Sequence, residues 1–203
     1  MSIVISQPSA TPVIHALRSL GYNAGTAIAD LIDNSLDAKA TKITLQFMCF
    51  GNDGAIIIAD NGHGMNEDTL QAAMNIGSKD PRADRRPNEL GRFGMGLKTA
   101  SFSLGKRLSV LTKQNGIYAQ RCWDLDHVSK CNEWRLFTAI PDEVRQYMCD
   151  IEGDSGTVIC IDKLDRFMGA GSANTIHESS FFAKVRRIHH HLEFVFHSII
   201  EKR

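Results

Sequence analysis

At 203 residues, 43% hydrophobic and 23% charged, the chain has the composition of a soluble globular protein with length for one well-buried domain. No run of about eighteen apolar residues is present to cross a membrane, and Met-Ser-Ile-Val-Ile-Ser at the start lacks the charged region of a signal peptide. The five cysteines (49, 122, 131, 149 and 160) are odd in number and contain no C-x-x-C pair, which argues against a zinc or disulfide framework and for reduced thiols in a cytoplasmic protein, or a nuclear one in a eukaryote.

Lys plus Arg equals Asp plus Glu, 23 each, but the charge is unevenly spread. Residues 1–75 carry a net of −4, residues 76–113 a net of +6, and residues 114–203 a net of −2. The basic middle stretch suits either phosphate binding, from a nucleotide or a nucleic acid, or a solvated loop.

In chain order, residues 12–20 and 24–38 read as helices. Ala24, Ala27, Ile28, Leu31 and Ile32 form an apolar stripe on the second. Residues 42–50 alternate like a strand, 55–59 read as a buried strand, and Asn52-Asp53-Gly54 between them signals a hairpin. A helix is expected over 66–75, capped by Asn66. Residues 76–96 read as a long mobile loop, followed by a helix from Leu97 to Leu104. Strands are expected near 107–113, 117–124, 133–140 and 157–162, then a long amphipathic helix over 178–202. This order predicts an α+β fold, a two-layer sandwich of mostly antiparallel sheet with helices on one face. Residues 1–170 are expected to form the domain, and 171–203 a C-terminal helix leading to a following domain. His189-His190-His191 falls inside that helix, where adjacent side chains project about 100° apart, so no metal site is expected from them.

Three segments carry chemistry. In the first, Asp30, Asn34 and Asp37 sit at i, i+4 and i+7 and share a helix face opposite the apolar stripe. The carboxamide of Asn34 is a hard-oxygen ligand suited to Mg²⁺. Asp30, one turn earlier, is placed to take a proton from a water near that metal. The same pattern also suits an ordinary solvated helix face. In the second, a buried strand ends at Asp60 and Gly62 and Gly64 bracket a turn. An acid there can accept a hydrogen bond from the exocyclic amino group of adenine, with Met65 packed on the ring; a plain β-turn remains the alternative. In the third, Gly91, Gly94 and Gly96 precede a helix opening with Leu97, Lys98 and Thr99, and bare amides at a positive helix end make an anion site. The spacing from Gly91 to Lys98 is one residue too long for a P-loop, and the glycine order is reversed relative to a dinucleotide fingerprint.

Together, D-x-x-x-N-x-x-D-A, D-x-G-x-G-M and G-x-x-G-x-G resemble the GHKL, or Bergerat-fold, ATP-binding domain of gyrase B subunits, HtpG-type chaperones, histidine kinases, MutL and the MORC ATPases. Ile76-Gly77-Ser78-Lys79 resembles the start of that family's mobile ATP lid, and Gly156-Thr157-Val158 its late Gly-Thr strand. The likeness spans roughly residues 12–165, and the string Asp33–Thr41 is most similar to the MutL and MORC branch.

The resemblance implies ATP and Mg²⁺ as cofactors. Asn34 would ligate the metal, Asp60 and Thr157 would hold adenine, and Ala38 and Met65 would line the base pocket. Gly91, Arg92, Phe93, Gly94, Met95, Gly96 and Leu97 would wrap the phosphates, with charge added by Lys98. Asp37, Gly62, Gly64, Ser78 and Lys79 complete the implied nucleotide site. The general-base position falls on Asp30, where the family usually has Glu. One methylene less costs roughly 1 Å of reach, so hydrolysis is expected to be slow or partner-dependent. The implied cycle is lid closure on ATP, dimerisation of two copies and clamping of a client, DNA or protein. A non-hydrolysing ATP-binding module is the alternative. A histidine-kinase phosphotransfer domain fits less well, because Asp37-Ala38 stands where those kinases carry a basic residue and His15 is a poor phosphoacceptor.

Overall fold

The computed structural model describes residues 8–19, 22–50, 53–77, 95–168 and 177–200. One five-stranded antiparallel sheet organises them, in the order β1-β2-β5-β3-β4. The strands are β1 (Ile43–Phe50), β2 (Asp53–Asp60), β3 (Arg107–Gln114), β4 (Ile117–Asp124) and β5 (Gly156–Asp162). The last strand in sequence is inserted at the centre, and all seven of its residues are buried. That placement follows from composition: Thr-Val-Ile-Cys-Ile has no polar face to offer water, so both faces must be covered.

The period-two alternation of strand side chains divides the core. Ile56 and Ile58 of β2, Leu108 and Val110 of β3, and Ile159 and Ile161 of β5 face the main helical layer. That layer consists chiefly of α1 (Ala10–Arg18), α2 (Ala24–Asp37), α3 (Glu67–Met74), α4 (Gly96–Leu104) and, later in the chain, a long C-terminal helix. The alternate residues Ala55, Ile57, Leu111, Val158 and Cys160 face a smaller cluster on the opposite side, formed with Ile140, Val144, Met148 and Ile151. Helices dominate one face, as expected, and the segment around 140–151 adds cover to the other.

Polar side chains open two of the helices, the Asn66 cap as expected and the Asn23 cap in addition. Asn23 caps α2 by accepting from Thr26 N at 2.9 Å, and Asn66 caps α3 by accepting from Thr69 N at 2.9 Å. The expected strand near 133–140 is not formed. Phe137 makes one isolated bridge to Cys122, with bonds of 2.9 and 3.0 Å, and the pairing extends no further. Two short helices flank that stretch instead, α5 (Leu125–Cys131) and α6 (Asp142–Arg145). The overlooked signals were Asp124, whose carboxylate accepts from Asp126 N and His127 N, and Pro141, which precedes α6. The C-terminal helix α7 runs Glu178–Ile200 and packs on α2 and β1.

Candidate functional site

The end of β2 is the most tightly built part of the site. The half-buried Asp60 side chain accepts from Gly62 N through Oδ1 and from Ser35 Oγ through Oδ2, each at 2.9 Å. Burial lifts its pKa above the ordinary carboxylate range; bonds from Gly62 and Ser35, with His63 and Thr157 nearby, partly offset that rise. A carboxylate offers about four acceptor positions, so acceptor capacity remains for a ligand N–H.

The turn after Asp60 is pressed onto the C-terminal end of α2. His63 N donates to Ala38 O at 2.9 Å. A Cβ on Gly62 would lie 2.7 Å from Ala38 O and 2.8 Å from Ala38 Cβ, so the close approach requires glycine there. Gly64 has φ +63°, and a Cβ on it would sit 1.9 Å from Lys113 O. Asn61 braces the same turn, accepting from Thr41 N at 2.9 Å and Lys42 N at 2.8 Å.

Thr112 of β3 links the turn to the central strand. Its hydroxyl accepts from Met65 N at 2.9 Å, donates to Gly156 O at 3.0 Å and lies 3.1 Å from Thr157 Oγ. With the single Thr112 proton directed at Gly156, Thr157 is the donor of that last bond. Asp60 and Thr157 are direct cross-strand partners on β2 and β5. Asp60, Met65, Ala38 and Thr157, four positions singled out in the sequence, are thus joined through Ser35, Thr112 and the glycine turn. Sequence reasoning missed Ser35 and Thr112. Ser35 is itself buried beside exposed Asn34, which a reader of the Asn-Ser pair could have noticed.

The acidic face of α2 is differently made. Ala27, Ile28, Leu31 and Ser35 are buried, whereas Asn34 is exposed and Asp30 and Asp37 are partly so. Asp33, not assigned from sequence, joins them: burial and then the charges of Asp30 and Asp37 raise its pKa. Among the described residues no Lys, Arg or His pairs with Asp30, Asp33 or Asp37. Such a self-repelling oxygen-rich face beside a carboxamide fits a hard divalent cation. Tyr22 meets the same face. Burial and then the nearby Asp30 carboxylate raise its pKa, and Thr99 of α4 partly offsets that rise.

Of the expected phosphate-binding residues, Ser78, Lys79, Gly91, Arg92, Phe93 and Gly94 lie outside the described residues. Met95 stands at the N-terminal boundary of α4 without a side-chain cap, leaving the first amides of the helix to other acceptors. Among the described residues a Cβ on Gly96 would meet nothing within 4 Å, so their packing does not dictate glycine there. Leu97 is half-buried and packs against the main core. Lys98 is buried, and its Nζ donates to Ala73 O at 2.6 Å in the last turn of α3, a partner the sequence did not suggest. Burial lowers its pKa to about 8, and the negative end of α3 receives its charge.

Comparison with known proteins agrees with this geometry. The family model described as histidine kinase-, DNA gyrase B-, and HSP90-like ATPase matches residues 22–157. The chain is 34% identical over 92 residues to ATPase morc-1 of Caenorhabditis elegans, which covers 45% of the chain and 10% of that protein. It is 34% identical over 97 residues to Protein MICRORCHIDIA 5 of Arabidopsis thaliana, covering 45% of the chain and 13% of that protein. MORC family CW-type zinc finger protein 3 of Mus musculus is 32% identical over 90 residues, covering 43% and 10%. The matched stretch therefore spans about a tenth of these relatives' length.

Proposed function

The chain belongs to the histidine kinase-, DNA gyrase B- and HSP90-like ATPase family, and from that membership we propose that it binds ATP with Mg²⁺ and hydrolyses it. The observation that carries this reading is Asp60: a half-buried carboxylate held by Ser35 and Gly62, facing Thr157 across the sheet, with acceptor capacity to spare. In the proposed role, Asp60 accepts from the adenine amino group while Ala38 and Met65 line the base and Thr157 supports it. Asn34 and the neighbouring carboxylates of α2 would hold the metal, which would offset phosphate charge. The uncapped amides at the start of α4 would take phosphate oxygens, with Gly91, Gly94 and the other loop residues contributing.

Asp30 is the proposed general base. Its carboxylate shares a face with Asn34 and lies near Tyr22. Because Asp30 is shorter than the usual Glu, the proposed turnover is slow. The short reach of Asp30 favours a second reading, a switch that binds ATP without hydrolysing it. Closure over ATP, pairing of two copies and clamping of a DNA or protein client complete the proposal; the similarity to MORC proteins supports this branch.

Phosphate release by the full-length protein tests the hydrolytic reading. Asp30→Asn is expected to lower it by ~10²-fold or more, within the range for loss of a general base. Unchanged release would remove Asp30 from that role. Label from γ-labelled ATP on the protein, rather than in free phosphate, would point to a kinase instead.

A further inference from the structure

We propose that His189, His190 and Glu193 on α7 form a surface site for one divalent transition-metal ion of the zinc class. This goes beyond the nucleotide site: it lies after residue 157, where the family match ends, and requires neither ATP nor Mg²⁺.

The site follows from helix geometry. The buried face of α7 carries Phe181, Ile188, Leu192 and Phe196. His189, His190 and Glu193 stand on the exposed side. Two adjacent histidines alone diverge by about 100°, which is why the sequence argued against a metal. Glu193 changes this, because it is four residues from one histidine and three from the other, both of them neighbouring positions on a helix surface.

The side chains converge accordingly. His189 Nδ1 lies 3.3 Å from Glu193 Oε1, and His190 Nδ1 lies 3.1 Å from Glu193 Oε2. The three donor groups fall within 4.8 Å of one another. Zinc–ligand bonds of about 2.0–2.1 Å in tetrahedral geometry place neighbouring donors ~3.3 Å apart. Each histidine nitrogen already lies about that far from one Glu193 oxygen, His189 from Oε1 and His190 from Oε2, so an ion can enter with small rotations of exposed side chains.

Ligand chemistry sets the ion class. Imidazole nitrogens suit Zn²⁺, Ni²⁺ and Cu²⁺, whereas Mg²⁺ and Ca²⁺ prefer all-oxygen sites. Three protein ligands leave at least one position for water or for a donor from another molecule. All three side chains are exposed, so binding requires no opening of the core.

The test uses the complete, tag-free protein without nucleotide. Calorimetric titration with Zn²⁺ is expected to show one saturable site per chain, and Co²⁺ to give the visible bands of a low-coordinate complex. His190→Asn and Glu193→Gln are each expected to weaken Zn²⁺ at least ~tenfold, the lower bound seen when even an outer-shell partner is lost. His15→Asn, an exposed histidine on α1, is expected to leave binding unchanged. The proposal is overturned if either site variant binds Zn²⁺ like the wild type, if no one-to-one complex forms, or if Mg²⁺ competes at equal concentration. Failure here would leave the ATP reading intact, because neither the variants nor the conditions touch that site.

Discussion

The two ends of the candidate nucleotide site are built in opposite ways. At the β2 end, Asp60 has two side-chain bonds of 2.9 Å, and Thr112 ties Met65 to Gly156 and Thr157. On α2, Asp30, Asp33 and Asp37 share a surface with like charges for neighbours. The first end is rigid because its polar groups satisfy one another across three strands and a helix. The second is held in place by the helix backbone, and its electrostatics favour an incoming cation. On the proposed reading, the base end is thus prepared in advance, whereas the phosphate end depends on what binds.

This contrast predicts large stability effects at one end and small ones at the other. Gly64→Ala is expected to cost about 3 kcal/mol or more, since the new Cβ is forced to positive φ and into Lys113 O. Urea denaturation checks it, and an unchanged midpoint would break the description of the turn. Asp60→Asn is expected to weaken ATP by ~10²-fold, the scale of one charged hydrogen bond, without lowering stability at neutral pH. The sign follows from its raised pKa. Ionised Asp60 is disfavoured in the fold, so its destabilisation is absent below the unfolded pKa, about 3.9. It develops as pH rises through the folded pKa and persists above it. Stability measured from acid to neutral pH should therefore fall more for the wild type, at this position, than for Asp60→Asn. Asp33→Asn is the smallest effect: a gain of about 0.2–0.5 kcal/mol by thermal unfolding at low salt, fading as salt rises. A loss of stability would show that the α2 face is not repulsive.

Sequence periodicity made most of the frame legible. The apolar stripe of α2 and the unbroken Val-Ile-Cys-Ile of β5 can each be folded in one way. The stretch 133–140 misled because its Trp, Leu and Phe suggested a strand while Asp124 and Pro141 bracketed it with helix signals. Candidate residues that share one helix face, such as Asp30 and Asn34, could be proposed from spacing. Ser35 and Thr112 were not, because their partners lie 25 and 47 residues away and only pairing of the sheet brings them together. Asp33 was passed over because it sits between the two helix faces, half-buried among charges that spacing alone does not reveal.

Nucleotide discrimination tests the central claim most directly. Guanine presents a carbonyl where adenine presents an amino group, and the Asp60 carboxylate would face that oxygen with no proton to share. Calorimetry with Mg²⁺ present should show saturable ATP binding and GTP weaker by at least ~10²-fold. GTP binding as tightly as ATP would contradict the assignment of Asp60 as the group that reads the base.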